Sequence, residues 1–286
     1  MMRRLMSALA LSMALGMALG ILPALPGRAQ QQSLGSGPLM IEASRGIEWR
    51  RDQQVYIASG NARAVQGDVT VTADRLVAHY RDGKQGKGGP DIYKVEAEGS
   101  VRITSGTETV VGDKAVYDLD RSLMVMTGNG LKLTTPTQVV TARDSLEYWG
   151  DRRVAVARGL AVATEGPQRV QADVMTAHLA NTAGDTRIAK VDAIGNVRVS
   201  TQDASAVGAK AVYNLQSGIA TLVGGVKVTQ GRNQLNGDYA EVNFRTGVSR
   251  ILSGQSGAAA GTPVRALLVP QPGEAPANTA VPGARR

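Results

Sequence analysis

Two histidines, His79 and His178, are the only imidazoles in the 286-residue chain, so general acid–base or metal chemistry would have to start from them. Each falls at the same place in a recurring phrase, "ADRLVAHY" from Ala73 and "ADVMTAHL" from Ala172. Neither has a second imidazole near it, and repeat position accounts for both better than catalysis does. Asp118 and Asp120 in "DLDRSL" have the alternate spacing that opens a calcium loop, but the later ligands and the loop glycine are missing; a hairpin turn is the better reading. No serine sits in a Gly-x-Ser-x-Gly elbow. The segment "RDGKQGKGGPD" (81–91) reads as a flexible loop, without P-loop spacing. The absence of cysteine removes disulfides, thiolate zinc sites and a lipidated N-terminal cysteine. Paired carboxylates for glycoside hydrolysis could still meet in space, and an exported parallel β-helix acting on polysaccharide is the enzyme alternative that a repeat architecture permits. Nothing else points to an enzyme, and neither a metal nor a cofactor is expected.

The elements that would carry any site are themselves repetitive. A glycine phrase occurs six times, as "GNARAV" from Gly60, "GSVRIT" from Gly99, "GLKLTT" from Gly130, "GLAVAT" from Gly159, "GNVRVS" from Gly195 and "GVKVTQ" from Gly225. Each is followed by a second phrase: "ADRLVAHY", "GDKAVYDL", "ARDSLEYW", "ADVMTAHL", "GAKAVYNL" and "GDYAEVNF". The second phrases close on Tyr80, Tyr117, Tyr148, Leu179, Tyr213 and Phe244. The glycine phrase alternates apolar and polar residues with the period of a strand, glycine and asparagine turning the chain before it. Turn formers such as Gly67-Asp68, Ser105-Gly106, Pro136, Gly166-Pro167 and Gln202-Asp203 divide the two phrases, so each unit holds three or four strands of ordinary length. Glycine is frequent, Val and Thr dominate, and no stretch beyond residue 30 keeps the helical spacing of apolar residues. The chain is read as all-β.

Two facing layers of such strands bury alternate residues about 10 Å apart. The inward set is Val69, Val71, Val101, Ile103, Leu131, Leu133, Leu160, Val162, Val197, Val199, Val226 and Val228. Periodicity fits a dry core and an acyl-chain groove equally well. With aromatics at 3%, either interior is built from small aliphatics.

At the N-terminus Arg3 and Arg4 precede an apolar run over residues 5–22, Pro23 and Pro26 end it, and Gly27-Arg28-Ala29 offers a small-residue cleavage site. A signal peptide over 1–29, cleaved on export, is expected, followed by a short linker (30–38); the run is also just long enough for an uncleaved anchor. The repeats then occupy a domain over 39–254, and an Ala/Gly/Pro-rich tail over 255–286 reads as disordered. The net charge of +8 includes three leader arginines, so residues 39–286 hold 29 basic against 24 acidic groups. Such an excess favours anionic partners. The cations are scattered singly between β-branched residues, without aromatic interleaving, and nucleic-acid binding is not expected.

The phrases "GNVRVS", "GDKAVYDL" and "GAKAVYNLQSGIATLVGGVKV" resemble the OstA-like repeats of the LptA family, periplasmic proteins of lipopolysaccharide transport related to the LptC periplasmic domain and the LptD N-terminal domain. The resemblance covers residues 39–254. It implies an antiparallel β-jellyroll, a folded taco built from the six strand units, with the apolar residues above lining a groove for lipid A acyl chains. It also implies a non-enzymatic periplasmic bridge that carries lipopolysaccharide from the inner to the outer membrane for outer-membrane assembly. A membrane-tethered LptC-like component is the alternative if the leader stays. Unpaired edge strands near Ile41 and Ile251 are expected to pair with LptC-type and LptD-type domains, or head to tail with further copies.

Overall fold

The computed structural model describes residues 39–82, 90–182, 185–243, 245–246, 248–253 and 263–269. The expected leader and linker, most of the 81–91 loop, Phe244 and most of the tail lie outside the described residues. Eighteen antiparallel strands form one sheet. The first half contains β1 (Met40–Glu42), β2 (Gly46–Arg50), β3 (Val55–Gln66), β4 (Val69–Arg81), β5 (Asp91–Ser105), β6 (Glu108–Asp118), β7 (Leu123–Thr127), β8 (Lys132–Thr134) and β9 (Val139–Thr141). The second contains β10 (Ser145–Trp149), β11 (Val154–Glu165), β12 (Gln168–Thr182), β13 (Asp185–Ser200), β14 (Ala204–Asn214), β15 (Ile219–Gln230), β16 (Asn233–Asn243), β17 (Val248–Leu252) and β18 (Arg265–Leu267). The described residues include no helix, so none long and apolar enough to cross a membrane.

The long strands are each bent once, and the bends line up. Pairing breaks between Ser59 and Ala62, Glu98 and Val101, Arg158 and Ala161, Ile194 and Val197, and Val223 and Val226. All these breaks lie at the repeated glycines. Gly195 has φ 79° and the following Asn196 φ 49°, a left-handed pair that glycine and asparagine tolerate best. At Gly130 the glycine phrase joins β7 to β8, but at its five other occurrences it does not turn the chain from one strand to the next, as its composition suggests. It makes a bulge in mid-strand, which is how a sheet is folded sharply. A β-carbon at Gly195 would collide with the Asp173 carboxylate of the neighbouring strand, which accepts a hydrogen bond from Asn196 Nδ2 at 2.8 Å. Apart from the region around Gly130, where β7, β8, β9 and β10 are separate short strands, a unit is thus two long bent strands, whose four straight segments fill the place of the expected separate strands.

The folded sheet has two walls. One carries the glycine phrases: β1, β8, β9, β18 and the segments of the long strands nearest the turns at Gly67, Gly106 and Gly166. The other carries the second phrases: β2, β7, β10, β17 and the remaining segments. Where the walls meet, the inward residues are packed dry. Val101, Leu131, Val197 and Val226 are each 1% exposed. Two large core clusters form, one over β3–β8 and one over β11–β16, with Leu146 packed against both, and Val55, Ile57 and Val77 form a third, smaller one. Burying each valine contributes about 1.5–3 kcal/mol.

The outer face of the second-phrase wall is held by ion pairs. Glu147, 11% exposed at its side chain, accepts hydrogen bonds from Arg158 Nε at 2.7 Å, Ser145 Oγ at 2.8 Å and Trp149 Nε1 at 3.0 Å. Burial pushes its carboxyl up, but these donors together hold it below the usual range. A depressed folded pKa stabilises above the unfolded value of about 4.3 and is lost as pH falls through the folded one. Glu147→Gln is therefore expected to cost about 2 kcal/mol at neutral pH, with the difference from wild type shrinking below about pH 4. Urea titrations at two pH values would check this; a constant difference would refute the charge-based account.

Candidate functional site

The residues that could have done chemistry face outward. His178 Nε2 lies 2.8 Å from Asp192 Oδ2, and Lys190 Nζ 2.9 Å from the same oxygen. The equivalent strands of the first half repeat the arrangement with His79, Glu96 and Lys94. The hydrogen bond from Lys94 holds the Glu96 carboxyl below its ordinary range; burial pushes Asp192 up, but Lys190 and His178 hold it low. These are surface ladders of paired charges on the outer face of one wall. Asp118 Oδ1 accepts from the Arg121 amide, and Asp120 pairs with Arg81, both within the hairpin between β6 and β7. No group of three metal-ligating side chains gathers among the described residues.

The interior is organised in rungs, and register defines them. Counting outward from the bend on the glycine-phrase wall, the first rung contains the buried Val101, Val197 and Val226, which pair with Gly112, Gly208 and Gly237. The second rung runs unbroken across the sheet as Ile41, Ala64, Val71, Ile103, Val110, Leu133, Val140, Ala163, Val170, Val199, Ala206, Val228, Leu235 and Ala266. Every member is aliphatic. Val71, Val110, Leu133, Val140, Val199, Val228 and Leu235 are half-buried, so this rung has an open side that the first lacks. Val69 lies nearer the rim, paired with Ser105.

The facing wall supplies a different lining. Its second rung from the bend reads Trp49, Tyr56, Ala78, Val95, Tyr117, Met124, Tyr148, Ala155, Ala177, Val191, Tyr213, Ala220 and Val242. Tyr117, Tyr148 and Tyr213 close three second phrases and share this rung; Tyr80 and Leu179 are displaced from it by bulges after His79 and His178. At its N-terminal end Trp49 stacks on Tyr56 at 5.6 Å and donates from Nε1 to the Tyr80 hydroxyl at 2.8 Å. Burial pushes the Tyr117 and Tyr213 phenols up, so both present neutral hydroxyls. These tyrosines are absent from the inward set read from sequence, although their recurrence at the end of the second phrase was the signal for them.

Two members of that inward set are misplaced. Leu160 is 49% exposed because it occupies the left-handed bulge position, with φ 48°. Val162 pairs with Thr141 and Gln171 on the outer face. Ala161 and Ala163 take the inward positions instead.

Among the described residues both ends of the sheet are open. Ile41 lies in β1, which pairs only with β3, and Ile251 in β17, which pairs only with β16. Met40, Ile47 and Trp49 are exposed at one end, and Val248, Leu252 and Leu267 at the other. Part of the segment read as disordered is a strand: β18 pairs with Gln234, Leu235 and Asn236, and the Val269 amide donates to Asn233 Oδ1 at 2.9 Å. Among the described residues the C-terminal edge of the glycine-phrase wall is therefore β18.

A family match repeats this double arrangement. A family model described as LptA/(LptD N-terminal domain) LPS transport protein matches twice, over residues 41–151 and 140–248. An uncharacterized protein of Rhizobium meliloti (strain 1021) is 27% identical over 99 residues, covering 34% of this chain and 53% of that protein; the chain thus spans about half the length of this curated relative. A crystal structure of LptH, described as the LptA homologous periplasmic component of the lipopolysaccharide transport device from Pseudomonas aeruginosa, aligns at 20% identity with a TM-score of 0.40, over 46% of this chain and 95% of that one. With the two family matches running from residue 41 to residue 248, the chain belongs to the family of LptA and LptD N-terminal-domain lipopolysaccharide transport proteins.

Proposed function

We propose that the protein carries lipopolysaccharide across the periplasm, with the lipid A acyl chains lying in the trough between the aliphatic rung of one wall and the tyrosine-bearing rung of the other. The observation that supports this reading is the aliphatic second rung, unbroken from Ile41 to Ala266 and half-buried at many of its positions, directly outside a first rung that is fully packed. Each methylene withdrawn from water contributes about 0.8 kcal/mol, so several acyl chains need continuous cover on an aqueous route. Family membership is that of transport proteins, which perform no covalent chemistry.

The bridging role rests on the two open edges. Exposed apolar side chains beside unpaired strand backbone recruit another strand, and LptC-type and LptD-type domains, or a second copy, offer strands of matching architecture. A cleaved leader gives a soluble bridge, whereas a retained one gives an LptC-like tethered component; N-terminal sequencing of the mature protein separates the two.

A photo-crosslinking residue at position 199 is expected to label lipopolysaccharide in cells, and the same residue at outward-facing position 198 is not. Equal labelling at both positions, or none at 199, would refute the trough. Ile251→Pro is expected to weaken self-association or capture of partner domains, read by sedimentation and pull-down; unchanged values would refute the role of that edge.

A further inference from the structure

Cations that are scattered along the sequence are gathered by register onto one surface. On the outside of the glycine-phrase wall, Arg63, Arg102, Lys132, Arg198, Lys227 and Arg265 occupy a single rung that crosses the sheet, each exposed and separated from the next by uncharged residues. Arg169 stands one rung away and fills the wide gap between Lys132 and Arg198. Glu42, 3.5 Å from Arg63 at the N-terminal edge, is the one acid on this rung. Arg102, Lys132, Arg198, Lys227 and Arg265 make no ion pair with any described residue. The other wall is built differently, Lys94, Arg75, Arg158 and Lys190 being matched there by Glu96, Glu98, Glu147 and Asp192. The aspartates along the bend are engaged locally, Asp113 by Asn129 and Asp173 by Asn196.

We propose that this convex face is a track for a flexible, linear, acidic polysaccharide, separate from the lipid trough. Strands about 4.8 Å apart place a cation roughly every 10 Å along most of the rung, a spacing suited to a charged polymer. A sheet twists by about 20° per strand, so the row winds around the molecule and only neighbouring cations face any one plane. A flexible chain can follow such a row where a flat bilayer cannot. The adjacent outer rung presents the hydroxyls of Thr70, Thr104, Thr109 and Thr134, which suit sugar hydroxyls and acid groups. No aromatic side chain lies on either outer rung to stack a nucleobase.

The test uses the full chain with dextran sulfate as probe and uncharged dextran as blank. Replacing Arg102, Lys132, Arg198 and Lys227 together with glutamine is expected to weaken binding about tenfold or more and to flatten its salt dependence between about 50 and 200 mM. A variant of equal net charge, with Arg121, Arg152, Lys210 and Arg250 replaced by glutamine, is expected to lose less than about twofold. Equal loss in both variants would reduce the effect to net charge and overturn the proposal. So would wild-type binding to dextran sulfate no tighter than to dextran, or a dependence on the row that is stronger for phosphatidylglycerol vesicles than for dextran sulfate.

Discussion

Val101→Asp is expected to unfold the first half of the jellyroll, while Val199→Asp leaves the protein folded and weakens lipopolysaccharide binding about 100-fold. Both residues belong to glycine phrases and both point inward, so their composition gives no reason to separate them. Depth does. Val101 is 1% exposed within the first core cluster and pairs with Gly112, so no polar group or water can reach a carboxylate there. Burying an unpaired acid costs about 4 kcal/mol or more, a large share of the roughly 5–15 kcal/mol that holds a domain together. Val199 sits one rung further out and is half-buried, so aspartate can hydrate at the trough mouth for about 1 kcal/mol. A charge there faces the path proposed for the acyl chains, and a loss of about 100-fold in affinity is expected from roughly 3 kcal/mol of unfavourable contact. Thermal melts and binding of purified lipopolysaccharide read the two effects separately. A Val101→Asp protein that melts like wild type would deny the dry bend, and a Val199→Asp protein with unchanged affinity would deny the trough.

That distinction marks where the sequence stops being legible. The period-two alternation in "GNVRVS" correctly places Val197 and Val199 on one inner face and Arg198 on the other, because strand geometry leaves no other option once one face is buried. It does not say that the glycine before it is a bulge, since a left-handed Gly-Asn pair reads the same in a hairpin turn as in mid-strand. The consequence is visible in "GLAVAT". There leucine takes the bulge position, and counting from the first apolar residue picks the wrong phase, which flips every side chain. Ala161 and Ala163 are inward and Leu160 is not. The two walls were also unequal in their signal. The aliphatic wall announces itself by alternation, whereas the tyrosines of the facing wall are single residues in separate phrases, brought onto one rung only by cross-strand register. The outer cationic row is hidden for the same reason: its members are far apart in sequence, and only pairing aligns them.

The glycine or alanine that opens every second phrase now has a steric explanation, and Gly112→Val tests it. Gly112 lies where the walls converge, opposite Val101. A β-carbon there would come 2.7 Å from Leu131 Cδ2 and 2.7 Å from Met126 Cγ. Both side chains are 1% exposed and have nowhere to retreat, so overpacking of about 3 kcal/mol is expected. Truncating Met126 removes one of the two obstacles. Met126→Ala alone opens a cavity and costs about 2–5 kcal/mol, but in the double variant the valine fills part of that space, and a favourable coupling of about 1–2 kcal/mol is expected. Additive losses in a denaturant double-mutant cycle would place the obstacle at Leu131 and not at Met126. Gly208 provides the contrast. Its β-carbon would meet Leu222 at 2.9 Å and also the Val223 carbonyl oxygen at 3.2 Å, and a backbone atom cannot be trimmed away. Gly208→Val should therefore be rescued less by Leu222→Ala than Gly112→Val is by Met126→Ala. The difference follows from how closely the two walls of the folded sheet are drawn together at the bend, the same closeness that leaves Val197 and Val101 dry and moves any lipid path out to Val199.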